Sequence, residues 1–192
     1  MSTEVELKYL TLSDDVSAKI FKILNERELS FSHSVKQLSN CYFDTADLAL
    51  RKLDMGLRIR VCGSHIEQTI KTAGVVVGGL HQRPEYNVDM TSSFPELALF
   101  PKNIWPDSST APKLQGQLIP LFNTDFTREV WLVTIENSVI ELAYDQGDIS
   151  SNNHHLEIRE LELELVSGEK ETLFTLAECL FHSLSLRPGT QS

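Results

Sequence analysis

The sequence predicts an α+β fold in which about eight strands form one large antiparallel sheet or a barrel, with a few helices beside it. Three observations predict this. Apolar and polar residues alternate in eight separate stretches, helical spacing appears in only a few others, and no linker or shift of composition divides the 192 residues. A chain of this length can bury one sizeable core, so a single domain over residues 1–192 is expected.

The first strand is read from Glu4 to Tyr9, where Val5, Leu7 and Tyr9 point one way and Glu4, Glu6 and Lys8 the other. A helix from about Asp14 to Leu29 follows, because Val16, Ile20, Phe21 and Leu24 recur at helical spacing after Ser13 and Asp14, which suit the N-cap. Further strands are expected at Gln37–Phe43, Gly56–Cys62, Ile66–Ala73, Pro84–Met90, Phe122–Ile135, Val139–Asp145 and Leu156–Val166. Short helices are expected near Ala46–Lys52 and Lys113–Leu118, and a last helix at Glu171–Leu184. The stripe of Leu173, Leu176, Ala177, Leu180 and Leu184 on that helix reads as a face docked on the sheet. Gly78-Gly79 and the Pro- and Ser-rich stretch from Ser92 to Pro112 read as surface connections, and Leu186 to Ser192 as linker-like.

Composition excludes several classes of function. With 27 Asp+Glu against 17 Lys+Arg, the net charge of −10 opposes general binding of nucleic acid. The 41% hydrophobic and 23% charged residues are those of a globular protein rather than a disordered chain. The longest apolar stretch, Ala73 to Leu80, is Gly-rich and far shorter than a membrane-spanning helix. Acids at Glu4 and Glu6 stand where a secretory signal needs basic and then apolar residues. The three cysteines Cys41, Cys62 and Cys179 lack metal-ligand spacing and read as free, small hydrophobic residues in a reducing cytoplasm.

The charges are patterned within the strands. The polar half of the alternation is ionised in pairs or triplets: Glu4, Glu6 and Lys8; Arg58 and Arg60; Glu67 and Lys71 around Thr69; Arg83 and Glu85; Glu141 and Asp145; Glu160, Glu162 and Glu164. One wet face of an antiparallel sheet explains polar residues in any single strand. Like charges at alternate positions nevertheless repel unless opposite charges answer them. If the strands close with these faces inward, the clusters compensate one another and line a hydrophilic cavity, while the apolar faces turn outward under helices and loops. Arginines and lysines in such a cavity suit phosphate oxygens, and carboxylates suit Mg²⁺ or Mn²⁺. Together they point to metal-dependent chemistry on a polyphosphate.

These residues carry a resemblance. Glu4-Val-Glu6-Leu-Lys8 resembles the ExExK motif of the CYTH superfamily, the triphosphate tunnel metalloenzymes. Met55-Gly-Leu-Arg58-Ile-Arg60, Thr69-Ile-Lys71, Arg83-Pro-Glu85, Arg128, Glu141-Leu-Ala-Tyr-Asp145 and Glu162-Leu-Glu164 follow in family order, across essentially the whole chain. Gly78 to Asn87 and Asp145-Gln-Gly147 are most similar to the bacterial branch in which a CYTH domain precedes a helical CHAD domain, several of whose members are inorganic triphosphatases. The resemblance implies an eight-stranded antiparallel β-barrel around a hydrophilic tunnel with flanking helices, a linear triphosphate as small-molecule partner, and one or two Mg²⁺ or Mn²⁺ ions. It also implies a Ser-Lys shortly after the last helix, whereas the sequence reaches Gln191-Ser192 first. Two expectations stay open: the chain stops before that lysine, together with any CHAD domain, or the protein lacks it.

On this basis Lys8, Arg58, Arg60, Lys71, Arg83 and Arg128 are expected to hold phosphate oxygens, with Glu85 ordering the neighbouring arginines. Glu141, Asp145, Glu160, Glu162 and Glu164 are expected to hold metal, and Glu4 and Glu6 to complete a second metal site or position the attacking water. Lys71, Glu4 or Glu6 is expected to take the water's proton. The same tunnel serves three chemistries in the family: hydrolysis of inorganic triphosphate, hydrolysis of thiamine triphosphate and cyclisation of ATP. Inorganic triphosphatase is the preferred expectation, adenylate cyclase the alternative, and a non-catalytic polyphosphate-binding module the reading outside catalysis. His154-His155 reads as a solvated turn, His33, His65, His81 and His182 as scattered, and Trp105 and Trp131 as packing residues.

Overall fold

A computed structural model describes residues 2–77, 80–152 and 154–189. The chain runs through β1 (Ser2–Thr11), α1 (Val16–Glu26), β2 (Ser30–Thr45), α2 (Ala49–Lys52), β3 (Gly56–Cys62), β4 (His65–Lys71), β5 (Val75–Val77) and β6 (Leu80–Met90). Two 3₁₀ turns at Leu97–Leu99 and Lys102–Ile104 lead to α3 (Thr110–Gln115), β7 (Leu118–Ile135), β8 (Ser138–Ser151), β9 (His154–Ser167), α4 (Glu171–Leu184) and β10 (Leu186–Pro188). The strands pair in the order β1–β9–β8–β7–β2–β3–β4–β6, and a further β6–β1 pairing closes an eight-stranded antiparallel barrel. Strands β5 and β10 add to β6 and β1 outside the eight. None of the described helices is long and apolar enough to cross a membrane.

The barrel is built with its apolar core outside and its charges inside. Cross-strand partners share a face, so the pairings Lys8–Glu162, Asp145–Arg128 and Arg58–Thr69 place the ionised alternation on the inner wall. The opposite faces form two separate apolar layers. In one, Leu7, Trp131, Leu142, Leu161 and Leu163 pack under α1 (Ile20, Leu24) and under the α4 stripe of Leu173, Leu176, Ala177, Leu180 and Leu184. In the other, Leu57, Ile59 and Ile70 pack under Leu50 of α2, Leu97, Phe100, Trp105 and Leu114 of α3. Each large side chain buried in these layers contributes roughly 1.5–3 kcal/mol.

Several boundaries differ from the expectation for physical reasons. Neither Ser13 nor Asp14 caps α1: the N-cap position is Asp15, in the left-handed region at φ 55°, with no side-chain cap bond. Strand β2 begins at Ser30 and β8 continues to Ser151, the added stretches being mostly polar and rich in serine. Strand β7 starts at Leu118, so the expected Lys113–Leu118 helix is displaced to α3. The Ser92–Pro112 stretch is a cover rather than a plain surface connection. Gln68 exchanges hydrogen bonds with the Glu96 backbone at 2.9 and 3.1 Å, and Gln115 accepts from Leu97 N–H while donating to the Pro95 carbonyl. His154 and His155 open β9 as exposed strand residues rather than forming a turn. Gly78-Gly79 and residues 190–192 lie outside the described residues, whereas Leu186–Pro188 form β10 rather than linker.

Two glycines allow close approaches that shape the barrel. A Cβ on Gly147 would overlap Asp125 O and Phe126 Cα, so only glycine lets β8 press against β7 there. A Cβ on Gly74 would overlap Gln82 O and Arg83 Cβ, at the point where the neighbour of β6 changes from β4 to β5. Pro84 lies in the same break in the ladder, between Glu85, paired with β4, and Gln82, paired with β5.

Candidate active site

The inward faces bring all the expected site residues onto the inner surface of the barrel. On β1 these are Glu4, Glu6 and Lys8, on β9 Glu160, Glu162 and Glu164, and on β8 Glu141 and Asp145; β7 adds Arg128, β3 Arg58 and Arg60, β4 Lys71, and β6 Arg83 and Glu85. Inward-facing His81 of β6 lies opposite Glu6.

Three cations are answered by carboxylates. Lys8 Nζ lies 2.7 Å from Glu160 and 3.1 Å from Glu162. Lys71 donates to both Glu4 oxygens at 2.6 and 2.8 Å and approaches Glu85 at 3.3 Å. Glu85 therefore pairs with a lysine, not with the arginines expected for it. Arg128 forks onto Asp145, with Nε to Oδ1 at 2.8 Å and a terminal nitrogen to Oδ2 at 2.6 Å, and donates to Glu162 at 2.6 Å. Against burial, Glu162 and Glu160 hold the Lys8 ammonium above its ordinary range. Burial would raise the Glu162 carboxyl, but Arg128, Lys8 and Lys71 outweigh it and keep it well below the usual carboxylate range. Lys71 is likewise raised, Glu4 and Glu6 overcoming its burial.

Other charges are unanswered. Arg58 and Arg60 have no carboxylate within ion-pair distance among the described residues, and Arg58 Nε is buried without a hydrogen-bond partner. Arg60 donates to Asn40 Oδ1 at 2.8 Å, and Asn40 in turn donates to Thr124. Burial together with Arg58 and Arg128 pushes the Arg60 guanidinium down to about 10. Glu6, Glu164 and Glu141 form a row across β1, β9 and β8. Neither Glu6 nor Glu164 meets a cation among the described residues. Burial and Glu162 push Glu6 up to about 7, and burial with Glu4, Glu141 and Glu85 does the same to Glu164. A row of oxygen donors repelling one another out of bulk water is the donor chemistry that a hard divalent ion matches.

Three features were not evident in the sequence. An apolar patch of Leu38, Phe126 and Ile158 interrupts the charged inner wall, with Arg128 5.8 Å above the Phe126 ring. Tyr42, opposite Arg58, stacks on Phe122 with ring centroids 4.5 Å apart. At the ends of the same faces of β4 and β6 that carry Lys71 and Glu85, His65, Glu67 and Asp89 bring ligand atoms within 4.8 Å of one another, with His65 and Asp89 exposed. The tunnel acids do not gather in this way, because Glu4 and Glu162 turn to cations. All three features depend on cross-strand register, which one strand's sequence does not carry; inward-pointing Asn40 and His81 are visible there only as polar residues within apolar runs.

The chain matches the model of the CYTH domain over residues 2–191. It is 38% identical over 185 residues to an inorganic triphosphatase of Haemophilus influenzae, covering 94% of this chain and 50% of that protein. The chain thus spans half the length of that curated relative. Its fold is similar to that of the Hippeastrum protein HpAC1, an adenylyl cyclase candidate described as having a dominant triphosphatase activity (TM-score 0.67, 17% identity, 98% of this chain and 92% of that one). It is also similar to an adenylate cyclase candidate of Bacillus halodurans (TM-score 0.58, 19% identity, 100% and 96%). The RNA triphosphatase domain of a mimivirus mRNA capping enzyme is a third likeness (TM-score 0.53, 14% identity, 94% and 88%).

Proposed function

The chain belongs to the CYTH domain family, and we propose that its tunnel hydrolyses inorganic triphosphate to pyrophosphate and phosphate. The observation that carries this reading is the coexistence, inside one barrel, of unanswered arginines (Arg58, Arg60) and unanswered carboxylates (Glu6, Glu164). A polyanion alone would meet repulsion from the acids. A cation alone would leave the arginines exposed to each other. A triphosphate accompanied by a divalent ion satisfies both.

In the mechanism, Arg58 and Arg60 take phosphate oxygens first, because no carboxylate competes for them. Lys8, Lys71 and Arg128 then exchange their carboxylate partners for phosphate oxygens, which frees Glu162 and Glu4. Glu164, Glu141 and the freed Glu162 would hold Mg²⁺ or Mn²⁺, which would supply positive charge to offset that of the phosphates. Attack is in line on a terminal phosphorus, the basic residues stabilising the equatorial and leaving oxygens. Glu6 is the favoured acceptor of the water's proton. Its pKa near 7 suits a base working near neutrality, whereas Lys71 is held protonated by Glu4 and Glu6.

The reading is tested by phosphate release from tripolyphosphate, thiamine triphosphate and ATP, and by cyclic AMP formation from ATP, each with Mg²⁺ and Mn²⁺. Release is expected from tripolyphosphate in preference to the others. Cyclic AMP as the main product, or tight tripolyphosphate binding without release, would replace it with cyclase or binding-module function.

A further inference from the structure

The buried side-chain polar atoms without hydrogen-bond partners among the described residues belong to Arg58, Thr69, His81 and Trp131. Three of these four residues face the tunnel, where a bound ligand can complete them. Arg58 is already explained as a phosphate contact. His81 is not explained by anything so far.

His81 is 1% exposed, and neither of its ring nitrogens has a partner among the described residues. Its place in the ladder fixes its direction: it is opposite Glu6 on β1 and in the same inward series of β6 as Arg83 and Glu85. Lys8, Arg83 and Glu4 are its charged neighbours. The Gly189 backbone passes beside the ring, outside hydrogen-bond geometry, and donates to the Lys8 carbonyl at 2.9 Å, so the end of the described chain screens this part of the tunnel. An imidazole retained for packing would be better served by an apolar residue, since burying both nitrogens unpaired is unfavourable. A neutral imidazole offers one donor, and the acceptors that Lys8 and Arg83 would gather around it are phosphate oxygens.

We propose that His81 is a substrate contact that donates an imidazole N–H to a phosphate oxygen of the bound triphosphate, beside Lys8 and Arg83. The proposal rests on the triphosphatase reading for its substrate. It adds a neutral donor to a cationic site, and a neutral donor can bind phosphate without raising the repulsion among the cations.

The test compares wild type with His81→Phe, which keeps the ring shape without donors, and His81→Asn, which restores a donor. For tripolyphosphate with Mg²⁺, His81→Phe is expected to raise KM roughly tenfold or more, and His81→Asn to recover part of that loss with an unchanged melting temperature. The His81 imidazole resonance, identified by its absence in His81→Asn, is expected to shift when tripolyphosphate is added without metal. If wild type cleaves tripolyphosphate while His81→Phe keeps KM and kcat within twofold, the contact does not exist. If wild type does not cleave it, the functional reading falls and the resonance decides the contact by itself: a resonance that stays in place overturns it. Should His81→Phe fail to fold, His81→Asn and the resonance decide the contact in the same way.

Discussion

The wall formed by β1, β9 and β8 and the wall formed by β3 and β4 solve the same problem with opposite signs. The first carries Glu4, Glu6, Glu141, Asp145, Glu160, Glu162 and Glu164 with one lysine, Lys8; the second carries Arg58, Arg60 and Lys71 with Glu67. On the acidic wall most charges already have partners, Lys8 serving two carboxylates and Arg128 three. On the basic wall the two arginines have no carboxylate partner among the described residues, Arg60 donating to Asn40 instead. The difference shows that the tunnel is poised rather than neutralised: it holds its acids with borrowed cations and leaves its arginines without carboxylates.

The largest effect is expected where one carboxylate serves two cations. Glu162→Gln removes the group shared by Lys8 and Arg128, and metal-dependent turnover of tripolyphosphate is expected to fall about a hundredfold or more. Near-wild-type kinetics at saturating metal would take Glu162 out of the metal site. Next, Arg58→Ala removes an unanswered cation from the basic wall and is expected to raise KM about tenfold to a hundredfold with a smaller change in kcat; unchanged constants would place that face away from substrate.

The acidic wall should also respond to pH. Glu6 and Glu164 are raised to about 7 from 4.5, so the folded protein binds more protons than the unfolded chain between those values. Stability in the presence of a chelator is therefore expected to fall as pH rises from about 4.5 to 7, by several degrees of melting temperature. Mg²⁺ should restore more at pH 8 than at pH 5.5. Thermal scans across this range check both, and a chelated protein that becomes more stable with rising pH would show that these carboxylates are already compensated. The smallest effect is expected from Asn40→Ala, which frees Arg60 Nε from its 2.8 Å acceptor. A severalfold rise in KM with kcat unchanged would mark Asn40 as an aligner of Arg60, and no rise would show that Arg60 holds its position alone.

How much of this is legible in the sequence depends on whether the signal is local. The alternation that faces Glu4, Glu6 and Lys8 away from Val5 and Leu7 is a property of one strand, and so is that of Arg58 and Arg60 against Leu57 and Ile59. These faces can be read without a partner strand, and they define the inside-out arrangement once closure is implied by resemblance. Which charge meets which is not local. That Glu85 serves Lys71, that Asp145 gives both oxygens to Arg128, and that Glu6 and Glu164 are left over follow from the register between strands far apart in sequence. The outer ends of β2 and β8 give a weak signal because the Ser, Gly and Asp residues there suit a loop as well as a strand. The 3₁₀ turns before α3 are hidden by prolines and serines that suggest a loop, although Leu97, Phe100 and Trp105 bury there.

The closure of the barrel through β1 also sets the order of assembly. This strand pairs along one edge with β9 and along the other with β6 and β10, for example Glu6 with both Glu164 and His81. The ten residues of β1 thus wait for β9, far along the chain, before the wall can seal. Pairings so distant along the chain are slow to form, because a long loop must be ordered before they repay its entropy. Until then the chain is an open curved sheet with two unpaired edges, whose charged concave side discourages another chain from adding to it.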